Sequence, residues 1–109
     1  MIMHLYGEGL HYLAPWHAEN VDLTAQIRRE MNPDHLLYRK TLTTLARRQD
    51  NDDVLFELQD CEFRYAVVHL TWAENALADS RFPRTDFFRD WQDLYENRIL
   101  VDHQEWDSQ

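Results

Sequence analysis

Apolar residues are spread unevenly along the chain, and their densest run is Phe63 to Trp72, FRYAVVHLTW. Strand side chains alternate between faces. One face of this run carries Phe63, Tyr65, Val67, His69 and Thr71, and the other Arg64, Ala66, Val68, Leu70 and Trp72. From Tyr65 onward both faces are largely apolar or aromatic, the pattern of a strand covered on both sides or set mid-sheet. The exception is His69, an imidazole in the middle of an apolar run.

Around this run the other elements are read from period and punctuation. Asn20 to Met31 has a helical period, with Leu23, Ile27 and Met31 four apart and Arg28, Arg29 and Glu30 on the wet face. Asn20 or Asp22 caps it, and Asn32-Pro33-Asp34 ends it, because the residue before a proline is pushed out of the helical region. Leu36 to Arg48 carries β-branched Thr41, Thr43 and Thr44 and reads as a strand, with Tyr38, Leu42, Thr44 and Ala46 on one face. Asp50-Asn51-Asp52-Asp53 is turn chemistry, since these short side chains bond their own backbone. Val54 to Gln59 is the partner strand, and Asp60-Cys61-Glu62 turns into the central run.

A polar connection, Ala73 to Arg84, leads to Phe82-Pro83. Thr85 or Asp86 is then expected to open a second helix, with Phe87, Phe88, Trp91, Leu94 and Tyr95 as its aromatic stripe. That stripe needs a receiver, and one sheet face supplies it. Burying each aromatic there stabilises the fold by about 2–3 kcal/mol. Ile99 to Val101 reads as a last extended piece, and 103–109 as a polar tail holding Trp106. At the other end, both glycines fall in YGEGL, a turn signal, and residues 1–16 read as a loosely packed arm. The expected fold is α+β. It has a three- or four-strand antiparallel meander, with two helices packed mainly on one face.

A chain of 109 residues makes one domain, 1–109. No apolar run reaches the roughly 20 residues that span a bilayer. The start has no basic, then apolar, leader pattern, and the single Cys61 forms no internal disulfide. These features point to a reducing, cytoplasmic setting. The net charge of −9 argues against nucleic acid and against an anionic membrane surface as partners. The charge is uneven. Met1–Gln49 has 5 acids and 6 bases (+1), and Asp50–Gln109 has 15 and 5 (−10).

Motifs with a known chemistry are few. Asp50, Asp52 and Asp53 lack the glycine and the spacing of a calcium loop, since Val54 and Leu55 stand where an oxygen ligand and a turn residue are needed. The histidines show no HExxH spacing, and two glycines allow no glycine-rich phosphate loop. Cys61 and His69 would stand about 25 Å apart along a straight strand, which rules against a thiol–imidazole pair. No metal, cofactor or catalytic pattern emerges.

Three blocks, ARRQDNDDVLFEL (Ala46–Leu58), YAVVHLTW (Tyr65–Trp72) and FPRTDFFRDW (Phe82–Trp91), resemble those of a group of small stand-alone bacterial proteins of unassigned function. The resemblance covers about the last two-thirds of the chain. It implies a self-contained bacterial domain, and no activity or site.

Two classes of function follow as expectations. In the first, an acidic cytoplasmic binding protein engages a basic protein partner, in the manner of an immunity or inhibitor protein. Asp50, Asp52, Asp53, Trp72, Arg81, Arg84 and Trp106 are its candidate contacts. In the second, the chain is a small enzyme or ligand-binding domain with a pocket near His69, using Tyr65, Thr71 and an acid from Asp50–Asp53. Homo-oligomerisation through Trp16, Trp106 or an edge strand is a third.

Overall fold

The structure is a computed structural model that describes residues 11–108. The described residues form a five-stranded antiparallel sheet in the order β1-β2-β3-β4-β5, so the α+β class holds with five strands rather than three or four. The strands are β1 (Trp16–Ala18), β2 (Thr41–Arg48), β3 (Asp53–Gln59), β4 (Tyr65–His69) and β5 (Thr85–Phe88). Helix α1 (Thr24–Glu30) lies between β1 and β2. After β5 the chain runs through α2 (Trp91–Leu94), a π-helical turn (Tyr95–Ile99) and α3 (Leu100–Asp107). No helix among the described residues is long and apolar enough to cross a membrane.

β3 and β4 are the sheet's centre, as their composition requires. Val54, Phe56, Leu58, Ala66, Val68 and Leu70 join Leu23, Ile27 and Met31 of the α1 segment in one core. Leu55, Tyr65 and Val67 join Leu94 and Ile99 in a second core on the opposite face. The helices therefore pack on opposite faces, which corrects the expectation of one shared face. The apolar character of both faces of β3 and β4 is the cause, since each face needs its own cover.

Further expectations are corrected. Leu42 and Ala46 were expected to share a face, yet they sit in different cores. The β2–β3 register slips between Thr44 and Ala46, so Leu45 is an extra residue. A bulge of this kind turns the side chains beyond it to the other face. The segment from Thr85 is a strand paired with β4, Tyr65 opposite Phe88 and Val68 opposite Thr85, and not the start of a helix. The helix begins later. Asp90 caps it, its side chain accepting a 2.8 Å bond from the Asp93 amide, while Asp93 accepts from the Arg89 amide at 2.9 Å. The first bond satisfies an amide that a helix N-terminus leaves unpaired, and the second ties the end of the preceding segment to the helix. Ile99 to Val101 is helical rather than extended, and the expected polar tail is helical as far as Asp107.

Most of the expected arm, 1–10, lies outside the described residues. From Tyr12 the chain is held. Trp16 is buried in the second core, and Tyr12 meets the Trp91 ring edge-on at 6.0 Å. Burial pushes the Tyr12 hydroxyl pKa well up, with Tyr65 and Glu57 adding to the effect.

Candidate functional site

Two places hold polar groups that the core does not need, one on each side of the sheet. The first begins at Glu30, the last residue of α1. Glu30 was expected on the wet face, yet it is fully buried. A carboxylate at a helix C-terminus opposes the helix dipole and loses its water. Donors offset both costs. The Thr71 amide (2.9 Å) and hydroxyl (2.8 Å) donate to Oε1, and the Trp72 amide (2.9 Å) and Gln26 Nε2 (2.8 Å) donate to Oε2. Further bonds fasten the connection beyond β4. Gln26 Nε2 donates to the Ala73 carbonyl at 3.0 Å, the Leu77 amide to the Glu30 carbonyl at 2.9 Å, and Asn32 Nδ2 to the Leu77 and Ala78 carbonyls at 3.0 Å each. The polar connection is thus clamped to α1.

Its consequence is the backbone of Trp72, which takes φ 63°. This left-handed region is disfavoured for a bulky side chain by about 1–3 kcal/mol. The residue is nevertheless 45% exposed. Its indole N–H donates to Asp52 at 3.0 Å, and the Arg47 guanidinium lies 5.8 Å above the ring centre. An exposed aromatic platform results, with Asp52 at its edge.

The second place lies on the other face, where an ion-pair network crosses the sheet. Asp53 is 6% exposed. One of its oxygens meets His69 Nδ1 at 2.7 Å and the other accepts from Arg98 at 2.9 Å. Arg98 also reaches Asp86 at 3.0 Å and Asp102 at 3.1 Å. Asp102, itself buried, accepts from the Trp16 indole at 2.8 Å and lies 3.2 Å from Arg48. Arg48 in turn makes two 2.8 Å bonds to Asp50. The Arg48 hydrogen bonds hold the Asp50 carboxyl below its ordinary pKa. Arg98 sits in the π-helical turn, so the widened turn lies where a cation enters the network. At one end of the network a pocket of about 220 Å³ opens, lined by Asp53, Val67, His69, Arg84, Asp86 and Arg98.

The sequence-derived candidates divide accordingly. Asp52 and Trp72 meet at the platform, and Arg47, not anticipated, covers it. Asp50 and Asp53 turn toward Arg48 and Arg98. Arg84 borders the pocket beside His69, and Asp53 is the acid that pairs with that imidazole. Thr71 is bound to Glu30, and Tyr65 lies at the far end of β4, its ring 6.2 Å from Trp91. Arg81 pairs with Asp79 at 2.6 Å and lies 6.0 Å from the Phe82 ring centre. Arg81 hydrogen bonds hold the exposed Asp79 carboxyl down to about 2. Trp106 is half-buried on α3. Arg98 and Glu30 were missed. Each has one partner a helical turn away, Asp102 and Gln26, but the contacts that mark their roles come from Asp53 and Trp72, 45 and 42 residues away. No group of three or more metal-ligating side chains converges among the described residues. Comparisons with family models, characterised proteins and solved structures find no match.

Proposed function

We propose that this is a small cytoplasmic binding protein that engages a basic protein partner through the platform at Trp72, in the manner of an immunity or inhibitor protein. The observation that carries the reading is the exposed Trp72, presented from a left-handed backbone that the fully buried Glu30 carboxylate holds in place. Strained backbone persists only where surrounding contacts over-determine it, and such positions cluster at functional sites. Tryptophan is also among the side chains that dominate interface energies.

The charge around the platform suggests the partner's sign. Asp52 lies at the ring's edge, Glu74 follows two residues on, and Asp50–Gln109 carries −10 of formal charge. Such a field speeds encounter with a basic partner and makes association salt-sensitive. Arg47 above the ring sets the geometry, and a guanidinium from the partner could take its place.

The test uses the full chain as bait in host extract at low salt, beside the variants Trp72→Gly and Asp52→Asn. The reading expects one basic protein, recovered in stoichiometric amount by the wild type, released by high salt, and lost or much reduced with Trp72→Gly. Equal recovery by wild type and Trp72→Gly overturns it.

A further inference from the structure

The pocket on the network face contains polar groups that the fold leaves unused. His69 Nδ1 lies 2.7 Å from Asp53, whose carboxylate is shared with Arg98. An ionised carboxylate only accepts, so Nδ1 carries a hydrogen and Nε2 is left toward solvent. Among the described residues Nε2 has no hydrogen-bond partner, although the side chain is half exposed at the pocket. The Arg84 side chain borders the same pocket and makes no ion pair or hydrogen bond among the described residues. The two are held together by the backbone, since the His69 amide donates to the Arg84 carbonyl at 2.9 Å.

Each acid of the pocket is already paired with a cation. Asp53 is paired on both oxygens, and Asp86 is bound to Arg98 through Oδ2. Arg98 is itself spread over three carboxylates. What remains for a ligand is one guanidinium and one imidazole nitrogen. An oxyanion accepts from the guanidinium, and a protonated oxygen of the same ligand donates to Nε2. The size agrees, because about 220 Å³ lies below the roughly 300–1,000 Å³ of sites for drug-sized molecules.

We propose that this pocket binds a small oxyanion, a carboxylate or phosphoryl group, held by Arg84 and His69. The proposal is independent of the platform at Trp72, which lies on the other side of the sheet.

The experiment is an NMR titration of the full chain with inorganic phosphate and, separately, with acetate, each against sodium chloride at equal ionic strength. The signals followed are the His69 ring and the Arg84 guanidinium. At least one anion is expected to shift both signals saturably, and the anion that does so identifies the oxyanion class. Arg84→Gln changes an exposed side chain, leaves the thermal midpoint unchanged, and weakens binding about tenfold. Arg81→Gln, whose side chain pairs with Asp79, leaves binding unchanged. His69→Asn, read through the Arg84 signal, loses binding as well. The proposal is overturned if neither anion gives a saturable shift beyond the chloride control. It is equally overturned if Arg84→Gln binds as tightly as the wild type.

Discussion

Glu30 holds Trp72. The carboxylate at the end of α1 accepts the Trp72 amide at 2.9 Å across 42 residues of sequence, and the residue it positions stands 45% exposed. A buried charge and a left-handed tryptophan are each unfavourable alone, and here each accounts for the other.

Replacing Glu30 by alanine leaves the Thr71 and Trp72 amides without an acceptor. Each unsatisfied donor withdrawn from water costs about 1 kcal/mol or more, so a total loss of at least about 2 kcal/mol is expected. Glu30→Gln keeps the shape but turns an N–H₂ group toward donors, and should fall between. Urea unfolding of the three proteins checks the order, wild type above Gln above Ala.

Trp72→Gly acts in the opposite sense on the fold. Glycine takes positive φ freely, so relief of strain is expected to leave stability unchanged or higher by about 1 kcal/mol. Equilibrium unfolding measures this. A stability loss above about 2 kcal/mol would show that the ring contributes more packing than its exposure suggests.

Arg98→Ala removes the cation shared by Asp53, Asp86 and Asp102. Asp53 and Asp102 are each 6% exposed. Asp53 would keep only His69, and Asp102 only Arg48 and Trp16, so the loss is expected to fall below about 3–5 kcal/mol, the cost of a buried charge left without any partner. Adding Asp53→Asn to Arg98→Ala removes one of the charges that has lost its guanidinium, so the double variant is expected to recover part of the loss. A double-mutant cycle by thermal unfolding reads the coupling.

Acid weakens the fold through its perturbed carboxylates. Arg48 hydrogen bonds lower the Asp50 pKa, and Thr24 bonds lower that of Asp22 at the start of α1. A group whose pKa is lower folded than unfolded adds stability above its unfolded pKa. That contribution is lost as pH falls through the folded value. The thermal midpoint should therefore drop as pH falls below about 4, the ordinary aspartate range. Asp50→Asn should flatten this fall, which a pH series of melting curves measures.

Much of the fold was legible because it rests on local pattern. Leu23, Ile27 and Met31 mark α1, and the acidic turn at Asp50–Asp53 separates two strands of the sheet. The pairing of His69 with an acid from that turn was also readable, since the β3–β4 hairpin puts Asp53 opposite His69. The aromatic run after Pro83 misled for a physical reason. Phe87, Phe88, Trp91, Leu94 and Tyr95 satisfy a helical period, while Phe87 and Phe88 serve opposite faces of a strand equally well. The decisive signal was Asp90 with Asp93, a cap placed four residues after Asp86. β1 spans three residues beside histidine and proline, too short for alternation to show. Glu30 and Arg98 were missed because their spacing to Gln26 and Asp102 is that of an ordinary exposed helix pair, and only tertiary contact buries them.

The most direct measurement is the paired low-salt capture with wild-type and Trp72→Gly baits, the folding of both confirmed by their melting curves. The account predicts one basic protein bound by the wild type, eluted by salt and lost with the variant. Undiminished capture by a folded Trp72→Gly, or the absence of any salt-released protein with the wild type, would contradict it.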